Sequence, residues 1–170
     1  MPSRPSASDL MQENVFVALG SNLEAPREQL RQAVAAIAAL DGVVLRAASS
    51  HYGSAPVGYD DQPDFVNAAV RIATTLSPRA LLTALQAIEQ AQGRERSFRN
   101  APRTLDLDIV LFGDRVQGDP ELTLPHPRAH ERAFVLLPLQ ELSPDLQIPG
   151  QGPVAALAAR CAEQRIARLD

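Results

Sequence analysis

An α+β fold, an antiparallel sheet with both helices on one face, is what this sequence predicts. Three observations predict it. Between residues 15 and 111 the apolar segments follow the order β-α-β-β-α-β. Both helical segments start at a proline and run toward a glycine, from Pro26 to Gly42 and from Pro78 to Gly93. A Gly-, Pro- and Asp-rich stretch, Gly53 to Pro63, joins two strands with no helix between them. This order is the ferredoxin-like arrangement.

Each element has its own signal. Val15 to Leu19 is a short apolar strand that ends at Gly20-Ser21-Asn22. In the first helix Leu30, Val34, Ile37 and Leu40 recur at helical spacing. Val43 to Ser49 reads as the second strand and Phe65 to Ile72 as the third. Ser77 caps the second helix, Leu81, Leu85 and Ile88 form its stripe with Leu82 beside it, and Gly93 is expected to close it. Leu105 to Leu111 is the fourth strand. Residues 116–170 are expected to add a proline-rich stretch and a helix from about Val154 to Leu169. The second sheet face is then free for ligands and extra segments. Residues 1–13 read as a polar, disordered tail, and residues 14–170 as one domain.

Composition narrows the function. The chain has 170 residues, 45% hydrophobic and 21% charged, ordinary values for a globular protein. A net charge of −4 and 4% aromatic residues speak against a general nucleic-acid binder. The single cysteine, Cys161, excludes a disulfide framework and a cysteine-rich zinc site, and reads as a packed helix residue. His126 and His130 have the spacing of a zinc pair, but no third ligand is evident and Pro127 disfavours a helix there. No stretch is long and apolar enough to span a membrane, and no signal peptide is visible, so the expected address is the cytoplasm. There is no lysine, which excludes a Walker A loop and Schiff-base chemistry.

The fourth strand carries the chemistry. In Leu105-Asp106-Leu107-Asp108-Ile109 the aspartates are two apart, so both project from one face while the leucines and isoleucine face the core. Adjacent carboxylates repel and raise each other's pKa unless a cation relieves them. A hard divalent ion such as Mg²⁺, holding a phosphate chain, supplies that relief. Arg94, Arg96, Arg99 and Arg103 stand directly upstream, in what reads as a basic loop. Guanidinium forks match phosphate oxygens. Paired carboxylates behind clustered arginines are what a nucleoside triphosphate and its metals require. Either half alone is also compatible with a solvated surface.

Further stretches complete the pattern: Ala18-Leu19-Gly20-Ser21-Asn22, the run Asp61 to Val70, Gln92-Gly93-Arg94, the run Pro102 to Ile109, Leu124-Pro125-His126-Pro127 and Arg132-Ala133-Phe134. Together they resemble the 6-hydroxymethyl-7,8-dihydropterin pyrophosphokinases of the folate pathway, from about Val15 to Leu146. The resemblance implies transfer of the β,γ-pyrophosphoryl group of ATP to the pterin hydroxymethyl oxygen, with release of AMP. It implies two Mg²⁺ ions on Asp106 and Asp108, and Arg94 and Arg103 with those aspartates as the catalytic set. It places Arg94, Arg96, Arg103, His126 and Arg132 on the nucleotide, with Gln86 and Glu89 close by. It places Gly20, Ser54, Ala55, Val57, Phe65, Asn67 and Phe134 around the pterin. Phe65 and Phe134 can cover the ring faces, and Asn67 can donate and accept at the ring edge. A monomer is expected, without nucleic-acid or membrane partners.

The chain departs from the family pattern at four places. Asn100 replaces a frequent tryptophan in a shorter arginine loop, and Pro127 replaces the tyrosine after Pro-His. Ser54-Ala55 replaces Thr-Pro, and Phe65 replaces a tyrosine. Two other classes remain open on the residues alone. A ferredoxin-like binding module would turn over no ATP. A nucleotidyl-cyclase or polymerase-palm relative would also present aspartates from such a sheet.

Overall fold

The computed structural model describes residues 11–54, 65–96 (the backbone alone at 94–96) and 104–170. In chain order it builds β1 (Gln12–Ser21), α1 (Pro26–Ala38), β2 (Val43–Ala48), β3 (Tyr52–Ser54), β4 (Phe65–Thr74), α2 (Pro78–Arg96) and β5 (Leu105–Phe112). β1 is central, antiparallel to β4 on one side and to β5 on the other. β2 and β3 lie end to end along the far edge of β4. The sheet is ferredoxin-like, as the element order predicts.

Strand alternation divides the apolar residues between two cores. Val15, Val17 and Leu19 of β1 pack with Leu30 and Ile37 of α1 and Leu81 and Leu85 of α2. Phe16 and Ala18 point the other way. Both helices therefore cover one face, as expected. Ser77 caps α2 as its residue type predicts, its hydroxyl accepting the Ala80 amide at 3.1 Å. At the α1–β2 turn Gly42 takes φ +80, and an added Cβ would meet the Thr75 hydroxyl at 2.7 Å.

Several boundaries differ from the sequence reading. β1 begins at Gln12, so the chain is ordered two residues inside the expected tail; residues 1–10 lie outside the described residues. Gly93 does not end α2, which continues to Arg96. Arg94 and Arg96 are thus on its last turn and not in a loop. A lone glycine costs a helix only about 1 kcal/mol, so it does not by itself stop one.

The largest differences follow β5. A hairpin of β6 (Gln117–Asp119) and β7 (Leu122–Leu124) leads through a 3-10 turn (Ala129–Glu131) into α3 (Ala133–Leu142). β8 (Gln147–Ile148), β9 (Gly152–Pro153), α4 (Val154–Arg160) and β10 (Ile166–Arg168) follow. The second sheet face is not free: Phe16, Ala18 and Ala69 are covered by Leu136 and Leu139 of α3 and Val154 and Leu157 of α4. The expected helix to Leu169 stops at Arg160, because Glu163, Arg165 and Arg168 leave no apolar stripe to bury. Instead β10 joins the sheet beside β3, and the Leu169 amide donates to the His51 carbonyl at 2.8 Å.

β5 contains a bulge where it pairs with β1. Phe16 faces Leu111 and Val17 faces Ile109, which leaves Val110 as the extra residue. Val110 and Leu111 consequently both enter the α3–α4 core, and Phe112 returns to the α1–α2 core.

Candidate active site

Asp106 and Asp108 stand on the α3 side of β5, where α3 and α4 leave the sheet open, and both are exposed. Leu105, Leu107 and Ile109 alternate with them into the opposite core. Strand pairing then fixes what surrounds them. Gly20 on β1 pairs with Asp106 on one side and with Asn67 of β4 on the other. Ala18 likewise lies between Asp108 and Ala69. Directly paired residues share a face, so Asn67, Gly20 and Asp106 form one row across three strands. Two strand spacings put the ends of that row about 10 Å apart over a floor of small residues.

The amide end of the row is held firmly. Asn67 is buried, and its Nδ2 donates to the Ser54 hydroxyl at 2.7 Å. Its Oδ1 lies over Gly20, where a Cβ would meet it at 3.0 Å and the Phe65 ring at 3.9 Å. Glycine is needed here for space: any side chain would fill the gap between carboxamide and carboxylate. Phe65 is half-buried beside it.

The carboxylate end is held by three further residues. The buried Asn22 clasps the start of β5: its Oδ1 accepts the Thr104 amide at 2.8 Å and its own amide donates to the Thr104 carbonyl at 3.2 Å. The Thr104 hydroxyl donates to Asp106 Oδ2 at 2.9 Å. On the free edge of β5, Glu89 Oε2 accepts the Leu107 amide at 2.7 Å. Although Asp106 is exposed at the surface, nearby protein partly desolvates its carboxyl and raises its pKa; the neighbouring Asp108 adds to this, while the Thr104 hydrogen bond and Arg132 oppose it. Glu89 is raised mainly by burial, with Asp106 and Asp108 adding to it and the Leu107 amide opposing. Burial thus weighs against the charged forms of Asp106 and Glu89, and their oxygen donors suit a hard divalent cation.

The remaining residues rim this row. Gln86 is exposed one turn before Glu89 on α2. His126 follows a cis Leu124–Pro125 bond, and its amide donates to the Val110 carbonyl at 2.9 Å, pinning it to β5. Its Nδ1 accepts the Arg128 amide at 3.2 Å, so the neutral ring carries its proton on Nε2. Burial holds its pKa below the ordinary histidine value, with Arg132 and Arg128 adding to this and Asp108 opposing. The Arg132 guanidinium sits 5.6 Å from the centre of the Phe134 ring. Arg103, Ala55 and Val57 lie outside the described residues, as do the side chains of Arg94 and Arg96. Thr104 and Asn22 are contributors the sequence reading did not single out for a role. Asn22 lies within the quoted Gly20-Ser21-Asn22 stretch, but its partner is 82 residues away.

Fold and residue pattern define the class, a ferredoxin-like kinase. The chain belongs to the 7,8-dihydro-6-hydroxymethylpterin-pyrophosphokinase (HPPK) family, whose model matches residues 16–144. A Pseudomonas aeruginosa 2-amino-4-hydroxy-6-hydroxymethyldihydropteridine pyrophosphokinase is 49% identical over 159 residues, 94% of this chain and 98% of that protein. The Haemophilus influenzae protein of the same name is 45% identical, covering 91% of this chain and 97% of its own length. In a crystal structure of wild-type Plasmodium falciparum HPPK-DHPS with pteroate, 43% of the chain matches 94% of this one with a TM-score of 0.68. At 13% identity that likeness is one of fold.

Proposed function

We propose that this chain transfers the β,γ-pyrophosphoryl group of ATP to 6-hydroxymethyl-7,8-dihydropterin, giving the pterin diphosphate and AMP in folate synthesis. The carrying observation is the cross-strand row in which Gly20 pairs with both Asn67 and Asp106. It sets an amide that reads a heterocycle edge about two strand spacings from a carboxylate pair suited to a metal-bound phosphate chain.

In this reading Asn67, aligned by Ser54, donates to and accepts from the pterin edge. Phe65 and Phe134 cover the ring faces. The pterin hydroxymethyl oxygen forms a bond to the β-phosphorus. The bond from that phosphorus to the α,β-bridging oxygen breaks, AMP leaves with that oxygen, and the hydroxyl proton is released. Asp106 and Asp108 would hold two Mg²⁺ ions, with the Thr104 hydroxyl orienting Asp106 and Glu89 fixing the strand between them. When bound, Mg²⁺ would neutralise charge on the phosphate chain. Arg94, Arg96, Arg103, Arg132 and His126 meet the nucleotide's charge, with Gln86 nearby. Ala55 and Val57 complete the pterin pocket. In this reading residues 14–170 act as one domain and the protein as a monomer. On the same reading the protein works in the cytoplasm; no helix among the described residues is long and apolar enough to cross a membrane.

Incubation with ATP, Mg²⁺ and 6-hydroxymethyl-7,8-dihydropterin tests the reaction. AMP should appear in step with pterin diphosphate. ADP would indicate single phosphoryl transfer, and cyclic AMP or free pyrophosphate a cyclase- or polymerase-like reaction.

A further inference from the structure

We infer that Gln164, which lies beyond the residues 16–144 matched by the family model, is a positioning residue for Arg132 and Phe134; the inference rests on the function proposed above. Gln164 stands in the turn between α4 and β10, its own amide bonded to the Cys161 carbonyl at 3.0 Å. Its carboxamide reaches the backbone on both sides of Arg132. Oε1 accepts the Ala133 amide at 2.9 Å, and Nε2 donates to the Glu131 carbonyl at 2.8 Å.

That contact does a job no local residue does. Arg132 is the N-cap of α3, extended at φ −119 and ψ 111, and makes no side-chain cap hydrogen bond. The first helical amide, Ala133, is capped instead by a side chain 31 residues away. Gln164 is exposed, so water was an available partner for both of its polar ends. A side chain serving only as a cap needs one acceptor. Here the donor end also ties the preceding carbonyl, which pins the peptide units on both sides of Arg132. Those units set the directions in which Arg132 and Phe134 leave the backbone, and the two side chains are packed 5.6 Å apart, guanidinium to ring centre. Immediately beyond Gln164, β10 pairs with β3, where Ser54 holds Asn67. One short segment thereby braces the α3 wall and the β3–β4 wall.

Gln164→Met removes both bonds at similar side-chain length. Gln164→Glu keeps the acceptor for Ala133 but sets an oxygen against the Glu131 carbonyl; it also serves should the methionine variant fail to fold. Steady-state kinetics of the full chain with ATP, Mg²⁺ and the reduced pterin are measured for each, alone and combined with Phe134→Ala. Gln164→Met should lower kcat/KM for the pterin about 10-fold in the otherwise unaltered chain, and less than about 2-fold beside Phe134→Ala, because the two act through one element. Equal losses in both backgrounds, or no loss in either, would overturn the inference. Absence of AMP formation by the unaltered chain would instead refute the proposed function. Hydrogen exchange then judges Gln164 alone: the Ala133 amide should exchange about 10-fold faster in Gln164→Met while the β1 amides keep their rates. Unchanged exchange at Ala133 would sink it.

Discussion

Glu89 accepts the Leu107 amide at 2.7 Å, and Leu107 is the residue between the two aspartates of β5. Among the described residues β5 is an edge strand, so this amide has no strand partner on that side. The α2 carboxylate takes the place of a neighbouring strand. Glu89→Ala should therefore cost about 1–2 kcal/mol of stability and lower turnover about 10-fold by loosening the strand that carries both carboxylates. Glu89→Gln keeps an acceptor and should recover most of both. Melting curves and kcat/KM, compared across the two variants, check this; equal loss in both would put the effect on the charge.

Asp106 and Asp108 face solvent and contribute nothing to either core. Asp106→Ala and Asp108→Ala should each reduce turnover by on the order of 10²-fold or more. Without Mg²⁺ and nucleotide, the melting temperature should hold or rise, since a like-charge pair is lost. A large fall in apo stability in both variants would make these residues structural.

Gly20→Ala sets a methyl 3.0 Å from Asn67 Oδ1. The Ser54 hydrogen bond prevents Asn67 from swinging aside freely. Pterin binding should weaken about 10-fold, roughly 1.4 kcal/mol, and Asn67→Ala should cost about 1–3 kcal/mol of it. Nucleotide binding alone should barely change in either. Titration calorimetry with each ligand separates the outcomes; a matching loss of nucleotide affinity would remove this strand from the pterin site.

The Tyr52 hydroxyl donates to Glu141 Oε1 at 2.6 Å, and the Ser50 amide and hydroxyl also bond that carboxylate. Burial, followed by the Glu141 hydrogen bond and charge, pushes the Tyr52 pKa up to about 12. Burial also acts to raise Glu141, but the bonds from Tyr52 and Ser50 outweigh it and hold that pKa below the ordinary carboxylate value. The signs differ. The Tyr52 contribution is present below the unfolded tyrosine value and lost as pH rises toward about 12. The Glu141 contribution is present above the ordinary carboxylate range and lost as pH falls through its lowered value. Tyr52→Phe should cost about 1–3 kcal/mol near neutrality and flatten the alkaline limb of a melting-temperature profile. An unchanged alkaline limb would place the lost stability elsewhere.

How legible the sequence was depends on how local each signal is. β1 and β4 are largely apolar runs of strand length, β5 alternates up to its bulge, and Pro26 and Pro78 mark helix starts, so the sheet and its two helices could be read directly. Asp106 and Asp108 share a face by period alone. α3 was hidden because Pro138 sits inside it and apolar residues continue around it, leaving no period to detect. β3 is three residues within a turn-rich stretch, and β10 is a charged segment that becomes a strand only because the edge of β3 is available. The Gly20 stretch is visible, but its purpose depends on β1 lying between β4 and β5. The Gln164 contacts leave no local trace.

The bulge at Val110 gives β5 two phases. Before it, polar and apolar residues alternate, as a strand with one open face requires. After it, both directions meet hydrocarbon. A strand of uniform parity can slip by two residues and still match its neighbours. This one cannot, because slippage would carry the odd residue to a place where β1 has no room for it. The bulge thus acts as a keyway, locking the aspartates against Gly20 and Ala18.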